Sequence, residues 1–210
     1  MAYDLAHWIT FFSAAVLLNL SPGPDFAFIL GHTVKGGPRQ GFAAMLGIWA
    51  GALFHVLLAV LGVSAIVATS AIAFSVVKWA GIAYLVWLGI QTLRQAGGSF
   101  AVDRTAPPVG LWPIFQQGVL IDLLNPKVAV FFLAFLPQFV QPEAGPVPLQ
   151  LLLHGMLIIV VAALVEIPLV FLGGKLTTWL RESKKAKKRL DQALGALLIA
   201  LAAKLMLVER

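Results

Sequence analysis

The stretch Asn19-Leu20-Ser21-Pro22-Gly23-Pro24-Asp25 sets two prolines and a carboxylate inside an apolar run covering residues 5–30. Proline in a helix interior removes a backbone donor and clashes with the preceding turn, at about 3 kcal/mol, and a charge at mid-bilayer costs about 2.5–3.5 kcal/mol on insertion scales. A second break made from the same ingredients, Asn125-Pro126-Lys127, interrupts another apolar run over residues 112–140. At membrane depth, unpaired peptide groups survive only against other protein or a wet cavity. Two matched breaks therefore predict one shared interior site rather than two faults facing lipid.

Composition puts these runs in a bilayer. Of 210 residues, 60% are hydrophobic and 11% charged, with a mean hydropathy of +0.92, against roughly 45–50% and 25% for soluble domains. Apolar runs of membrane-spanning length recur along the chain, so an all-α, polytopic membrane protein with a single domain over residues 1–210 is expected. The absence of cysteine excludes disulfides, thiolate metal sites and cysteine nucleophiles, and no metal or cofactor is expected. Met1 to His7 contains no Lys or Arg, which argues against a cleaved secretory leader. The net charge of +6 is concentrated in Lys184, Lys185, Lys187, Lys188 and Arg189, flanked by Lys175 and Arg181. A basic cluster between two apolar segments marks a cytoplasmic connection that attracts anionic lipid headgroups, and no nucleic-acid partner is expected.

Six spans follow, at about residues 5–30, 41–67, 76–95, 112–140, 148–172 and 190–208. Residues 32–39 read as a short basic turn, and residues 96–111, with Gly97-Gly98 and Pro107-Pro108, as the linker between two halves. The alternate connections carry Lys35 and Arg39, Arg94 and Arg104, and the basic cluster; Lys78 snorkels to the nearby interface. By the positive-inside rule these connections are cytoplasmic, which leaves both termini on the outer side. Gly41, Ala44, Gly47 and Gly51 line one face of the second span, a small-residue surface that would permit a homodimer. His154 is read as interfacial and most tryptophans as anchors at span ends, with Trp49 and Trp87 candidates for the interior.

An internal repeat strengthens the link between the breaks. Aligning Pro24 with Pro126 sets Asp25 against Lys127, and aligning the second and fifth spans sets His55 against Glu166. Halves of three spans each enter the membrane from opposite sides, the inverted-repeat plan of many secondary transporters.

With Ser21-Pro22-Gly23-Pro24-Asp25 in the first span, Gly81-Ile82-Ala83-Tyr84-Leu85 and Gly89 in the third, and Asn125-Pro126-Lys127 in the fourth, the chain resembles the LysE/RhtB family of bacterial amino-acid exporters over essentially its whole length. The resemblance implies efflux of amino acids or related small metabolites across the inner membrane, driven by the proton gradient. It does not name the cargo.

A zwitterionic amino acid needs a cation, an anion and free backbone groups. Lys127 is expected to attract the carboxylate and Asp25 the ammonium, with Asn125 and Ser21 supplying hydrogen bonds and Gly23 an accessible backbone beside the breaks at Pro22, Pro24 and Pro126. The competing reading is that Asp25 and Lys127 only pair with each other and lock the breaks together. Glu166 and Asp122, carboxyls within apolar spans, and His55, whose ring type titrates near neutral pH, are the candidates for proton coupling, although Asp122 could simply cap the break and His55 bridge two helices. A channel or cation transporter of similar architecture is the alternative function. An intramembrane enzyme is disfavoured, because no metal-ligand spacing or nucleophile elbow accompanies the histidines.

Overall fold

The computed structural model describes residues 3–20, 23–63, 71–94 and 110–182, with isolated positions between 185 and 206. Among the described residues every regular element is helical, with no strand. Helix α1 covers Leu5–Leu20, α2 Pro24–Leu58, α3 Ala71–Arg94, α4 Leu111–Leu123, α5 Pro126–Val130 and α6 Val147–Glu182. α2 ends in a π-helical turn at Ala59–Val63, and α5 continues through a π-helical turn at Phe131–Phe135 into a 3-10 turn at Leu136–Phe139.

Neither Pro24 nor Pro126 is a kink in a helix interior. Pro24 is the first residue of α2, behind Gly23 in extended conformation (φ −157°, ψ −173°), and Pro126 is the first residue of α5, behind Asn125 (φ −78°, ψ 105°). At that position the missing N–H costs nothing and the fixed φ is already helical. The expected penalty is thereby avoided, and each break instead presents a helix start to the interior. Asn125 caps α5, its Oδ1 accepting from the Lys127 backbone N–H at 3.1 Å. The fourth span bends by 51° between Leu111–Leu123 and Pro126–Phe139.

The basic turn expected at residues 32–39 is a corner between two helical legs of α2, with Gly37 leaving helical geometry at φ 72° and ψ −172°. Glycine alone takes that conformation without strain, and Pro38 starts the next leg directly, so the chain turns a corner with no loop. The fifth span keeps its expected extent, Val147–Gly173, while helix α6 runs on to Glu182, so Lys175 and Arg181 lie on its helical extension. The expected linker and most of the expected sixth span lie outside the described residues, as do Ser21 and Pro22.

By length and composition, stretches within Pro24–Gly62 and Val147–Gly173 can each cross a membrane, and the bent pair Leu111–Leu123 with Pro126–Phe139 adds a third if it forms one span rather than a re-entrant loop. Large apolar side chains remain exposed around the bundle, Leu61 at 73%, Ile72 at 79% and Leu164 at 73% among them. In water such a surface would be a liability, whereas beside acyl chains it is the expected outer face of a membrane protein.

The second leg of α2 packs most extensively on α4. A Cβ on Gly47 would lie 3.0 Å from the Cα of Gly118 and collide with the Phe115 carbonyl, while one on Gly118 would fall 2.8 Å from the Ala44 carbonyl. The small-residue face of the second span is thus consumed inside the chain, where it packs on α4. It is not a free surface for a second copy, and a homodimer would need another face.

Candidate functional site

The two breaks meet. Lys127 Nζ lies 4.0 Å from Asp25 Oδ2, with both side chains buried. The oxygen that faces the ammonium is already held by Asn125, whose Nδ2 donates to Asp25 Oδ2 at 2.6 Å. Asn125 therefore uses both ends of its amide, one to cap α5 and the other to tie the α5 start to the α2 start. Asp25 Oδ1 is buried and has no hydrogen-bond partner, an arrangement that ordinarily costs about 1–3 kcal/mol, more for a charged group. Asp25 sits in the first turn of α2, where the helix dipole favours an anion; Lys127 occupies the same place on α5, where the dipole opposes a cation. Gly23 contributes its carbonyl to the Ala27 N–H at 2.9 Å, so that oxygen is occupied by helix initiation.

The three proton-coupling candidates surround this pair from other helices. Asp122, in the last turn of α4, does not cap the break with its carboxyl. Its backbone carbonyl accepts from Asn125 N at 3.0 Å, while its side chain abuts Gly51 on α2, where a Cβ would come within 2.8 Å of Oδ2. His55 Nε2 is 3.1 Å from the Asp122 carbonyl oxygen and 3.9 Å from Asp122 Oδ2. The hydrogen bond to the carbonyl requires the proton on Nε2. His55 Nδ1 and Asp122 Oδ2 are, like Asp25 Oδ1, buried without a hydrogen-bond partner. Glu166 on α6 accepts from the Trp49 indole, Nε1 to Oε2 at 2.6 Å.

Asp25, Asp122, Lys127 and Glu166 all line one cavity of about 40 Å³, whose other walls include Asn19, Trp49, Phe132 and Ile158. At about 10–15 Å³ per water such a space holds on the order of three waters. An amino acid needs the walls to part. The π-helical turn at Phe131–Phe135, which brings Phe132 into that wall, is a departure from regular helix of the kind frequent at functional sites.

Sequence reasoning found the charges and missed some of their company. Trp49 was a candidate for the interior only, and its role as the donor to Glu166 has no local signal in the sequence. Asn19, beside the first break, lines the cavity while its Nδ2 donates to the Ala15 carbonyl at 2.8 Å. His154 is 1% exposed, packed inside the bundle near the start of α6, and its Nε2 lies 3.0 Å from that of His7.

Known proteins extend this picture. No solved structure matches the chain. It is 33% identical to a homoserine/homoserine lactone efflux protein of Salmonella typhi, over 93% of this chain and 94% of the relative, and 26% identical to a leucine efflux protein of Salmonella choleraesuis, over 99% and 98%. A membrane protein of Vibrio cholerae is 32% identical over 92% of this chain and 93% of its own. The model of the LysE-type translocators matches residues 16–209, and the chain belongs to that family.

Proposed function

We propose that the protein exports amino acids, or small metabolites close to them, across the bacterial inner membrane by proton-coupled alternating access, with Asp25, Asn125 and Lys127 as the substrate site. One observation carries the reading: a buried carboxylate oxygen, Asp25 Oδ1, left without a hydrogen-bond partner beside a buried ammonium 4.0 Å from its twin. A substrate ammonium satisfies Oδ1, and a substrate carboxylate draws Lys127 from Asp25. In this reading Gly23 and Ser21 supply backbone and hydroxyl groups to the substrate at the first break. The relatives named as efflux proteins support the direction of transport, and their names, homoserine and leucine, support a neutral amino acid as cargo.

Three carboxyls and one ammonium around one small cavity give the site an excess of acid groups. A proton carried on Glu166 or Asp122 balances the charge, and His55, whose Nε2 lies 3.9 Å from Asp122 Oδ2, is the group able to exchange it. Substrate and proton then compete for the same acid cluster from opposite sides of the membrane, which is the requirement for antiport. The two helix starts belong to inverted three-helix halves that rock about this point, and the Gly47–Gly118 contact is their pivot. Lys35, Arg39 and the basic cluster orient the chain with both termini outside and touch anionic lipid.

The test is efflux of preloaded labelled amino acids from proteoliposomes under an imposed pH gradient. Neutral amino acids leave with the wild-type chain and stay with Asp25→Asn or Lys127→Ala. Transport undiminished in both variants would refute the site, and a panel of amino acids none of which moves would refute the exporter. A channel is distinguished by efflux that ignores the pH gradient.

A further inference from the structure

At the start of α1 and of α6, away from the central cavity, a second polar cluster is built between two histidines. His154 Nδ1 lies 2.8 Å from the Gln150 backbone oxygen, which can only accept, so Nδ1 bears the proton. In the neutral ring Nε2 is then an acceptor, and the 3.0 Å contact with His7 requires His7 Nε2 to donate. His7 Nδ1 is left as an acceptor and faces Gln141 Nε2 at 3.4 Å. Gln150 closes the cluster: Tyr3 Oη and Gln141 N donate to its Oε1 at 2.7 and 2.9 Å, and its Nε2 donates to the carbonyls of Gln141 and Gly145. The Trp8 ring lies nearly parallel to His154, 13° between planes and 5.5 Å between centroids, a placement in which an aromatic face attracts an imidazolium.

We propose that His7 and His154 form a proton-binding site that takes up one proton for the pair. The incoming proton adds to His7 Nδ1, displacing the Gln141 amide. The His7 Nε2–H bond breaks as a new N–H bond forms on His154 Nε2, leaving His7 neutral with the opposite tautomer and His154 as imidazolium against Trp8. Two imidazoliums 3.0 Å apart would repel, so the second proton is excluded. Asp4, whose Oδ1 accepts from the His7 backbone N–H at 2.7 Å, and Tyr3 face the pair from the chain before α1. Glu143 lies on the connection before α6; α1 and residues 131–139 carry no acid or base after His7, α6 none but His154 before Glu166, and α3 only Lys78 and Arg94. The cluster lies where the chain enters α1 and α6, whereas Lys35 and Arg39 flank the Gly37 corner, so on the exporter reading the proton is loaded from the outer side.

The experiment is nitrogen NMR of ring-labelled histidine in the full chain in lipid bilayers. The chain has four histidines, and single His→Gln variants assign them. Near pH 8, His7 should show the Nε2–H tautomer and His154 the Nδ1–H tautomer; towards about pH 5, His154 becomes imidazolium while His7 inverts. Replacing His7 by Gln should move the His154 titration by about one pH unit or more, because the two rings share the proton. Identical tautomers, no uptake across this range, or an unmoved His154 titration would each overturn the site. Should a variant fail to fold, the tautomers and inversion of the unsubstituted chain decide alone. Tautomers do not depend on cargo, so this result and the efflux assay can fail separately.

Discussion

The central cavity and the His7–His154 cluster are both buried polar assemblies that tie distant segments together, and they differ in how completely their atoms are paired. Around the cavity, Asp25 Oδ1, Asp122 Oδ2 and His55 Nδ1 have no hydrogen-bond partner. In the histidine cluster every ring nitrogen and every polar atom of Gln150 has one within 3.4 Å. Buried polar groups are nearly always paired, because leaving one unpaired forfeits its hydration. A region that breaks this rule several times over is waiting for something, whereas one that obeys it already holds a defined state.

The most severe break of the comparison is Lys127→Ala, which removes the ammonium beside Asp25 and should cost about 3–5 kcal/mol in detergent unfolding as well as all efflux. Pairing Asp25→Asn with Lys127→Met should return most of that stability and none of the transport. A double variant that still exports would turn the site into a lock. Next in size, Gly51→Ala places a methyl 2.6 Å from the Asp122 Cβ. It should destabilise by about 1–3 kcal/mol through overpacking and lower efflux by displacing Asp122 from the cavity, both read on one preparation.

How much of this was legible in the sequence depends on range. The breaks were legible, since Pro24 and Pro126 disturb long apolar runs beside charges, and their meeting followed from the argument that neither charge can face lipid. What the prolines do there was not, because a helix-starting proline and a helix-breaking one look alike until the preceding residue's φ and ψ are known. Gly36-Gly37-Pro38 reads as a turn by composition, yet a single positive φ suffices for the corner. The small-residue face of α2 has the same pattern whether it meets α4 or another copy. His7 beside Trp8 has the signature of an interfacial anchor, and only the fold brings His154 to it.

Trp49→Phe sharpens the comparison on the cavity side. It keeps an aromatic wall while removing the donor 2.6 Å from Glu166, so the cavity gains one more unpaired carboxylate oxygen. A loss of about 1–2 kcal/mol in unfolding is expected, with efflux altered in its pH dependence. Unchanged efflux at every pH would remove Glu166 from the coupling proposal.

The smallest effect belongs to the satisfied cluster. Tyr3→Phe deletes one hydrogen bond, to Gln150 Oε1, and leaves that oxygen its second donor, Gln141 N, so about 0.5–1.5 kcal/mol is at stake and efflux should persist. Burial pushes the Tyr3 phenol above its ordinary pKa of 10.0. In the unfolded chain the phenol therefore ionises first, and the folded state, which binds the proton longer, loses stability as pH rises above about 10. Tyr3's contribution is fully present below that pH, which a denaturation series from neutral to strongly alkaline conditions can read. The wild-type midpoint should fall towards that of Tyr3→Phe as the phenol ionises, while the variant lacks this component. Parallel curves would mean that the phenol is not buried in the folded chain, and the cluster would lose its outermost member.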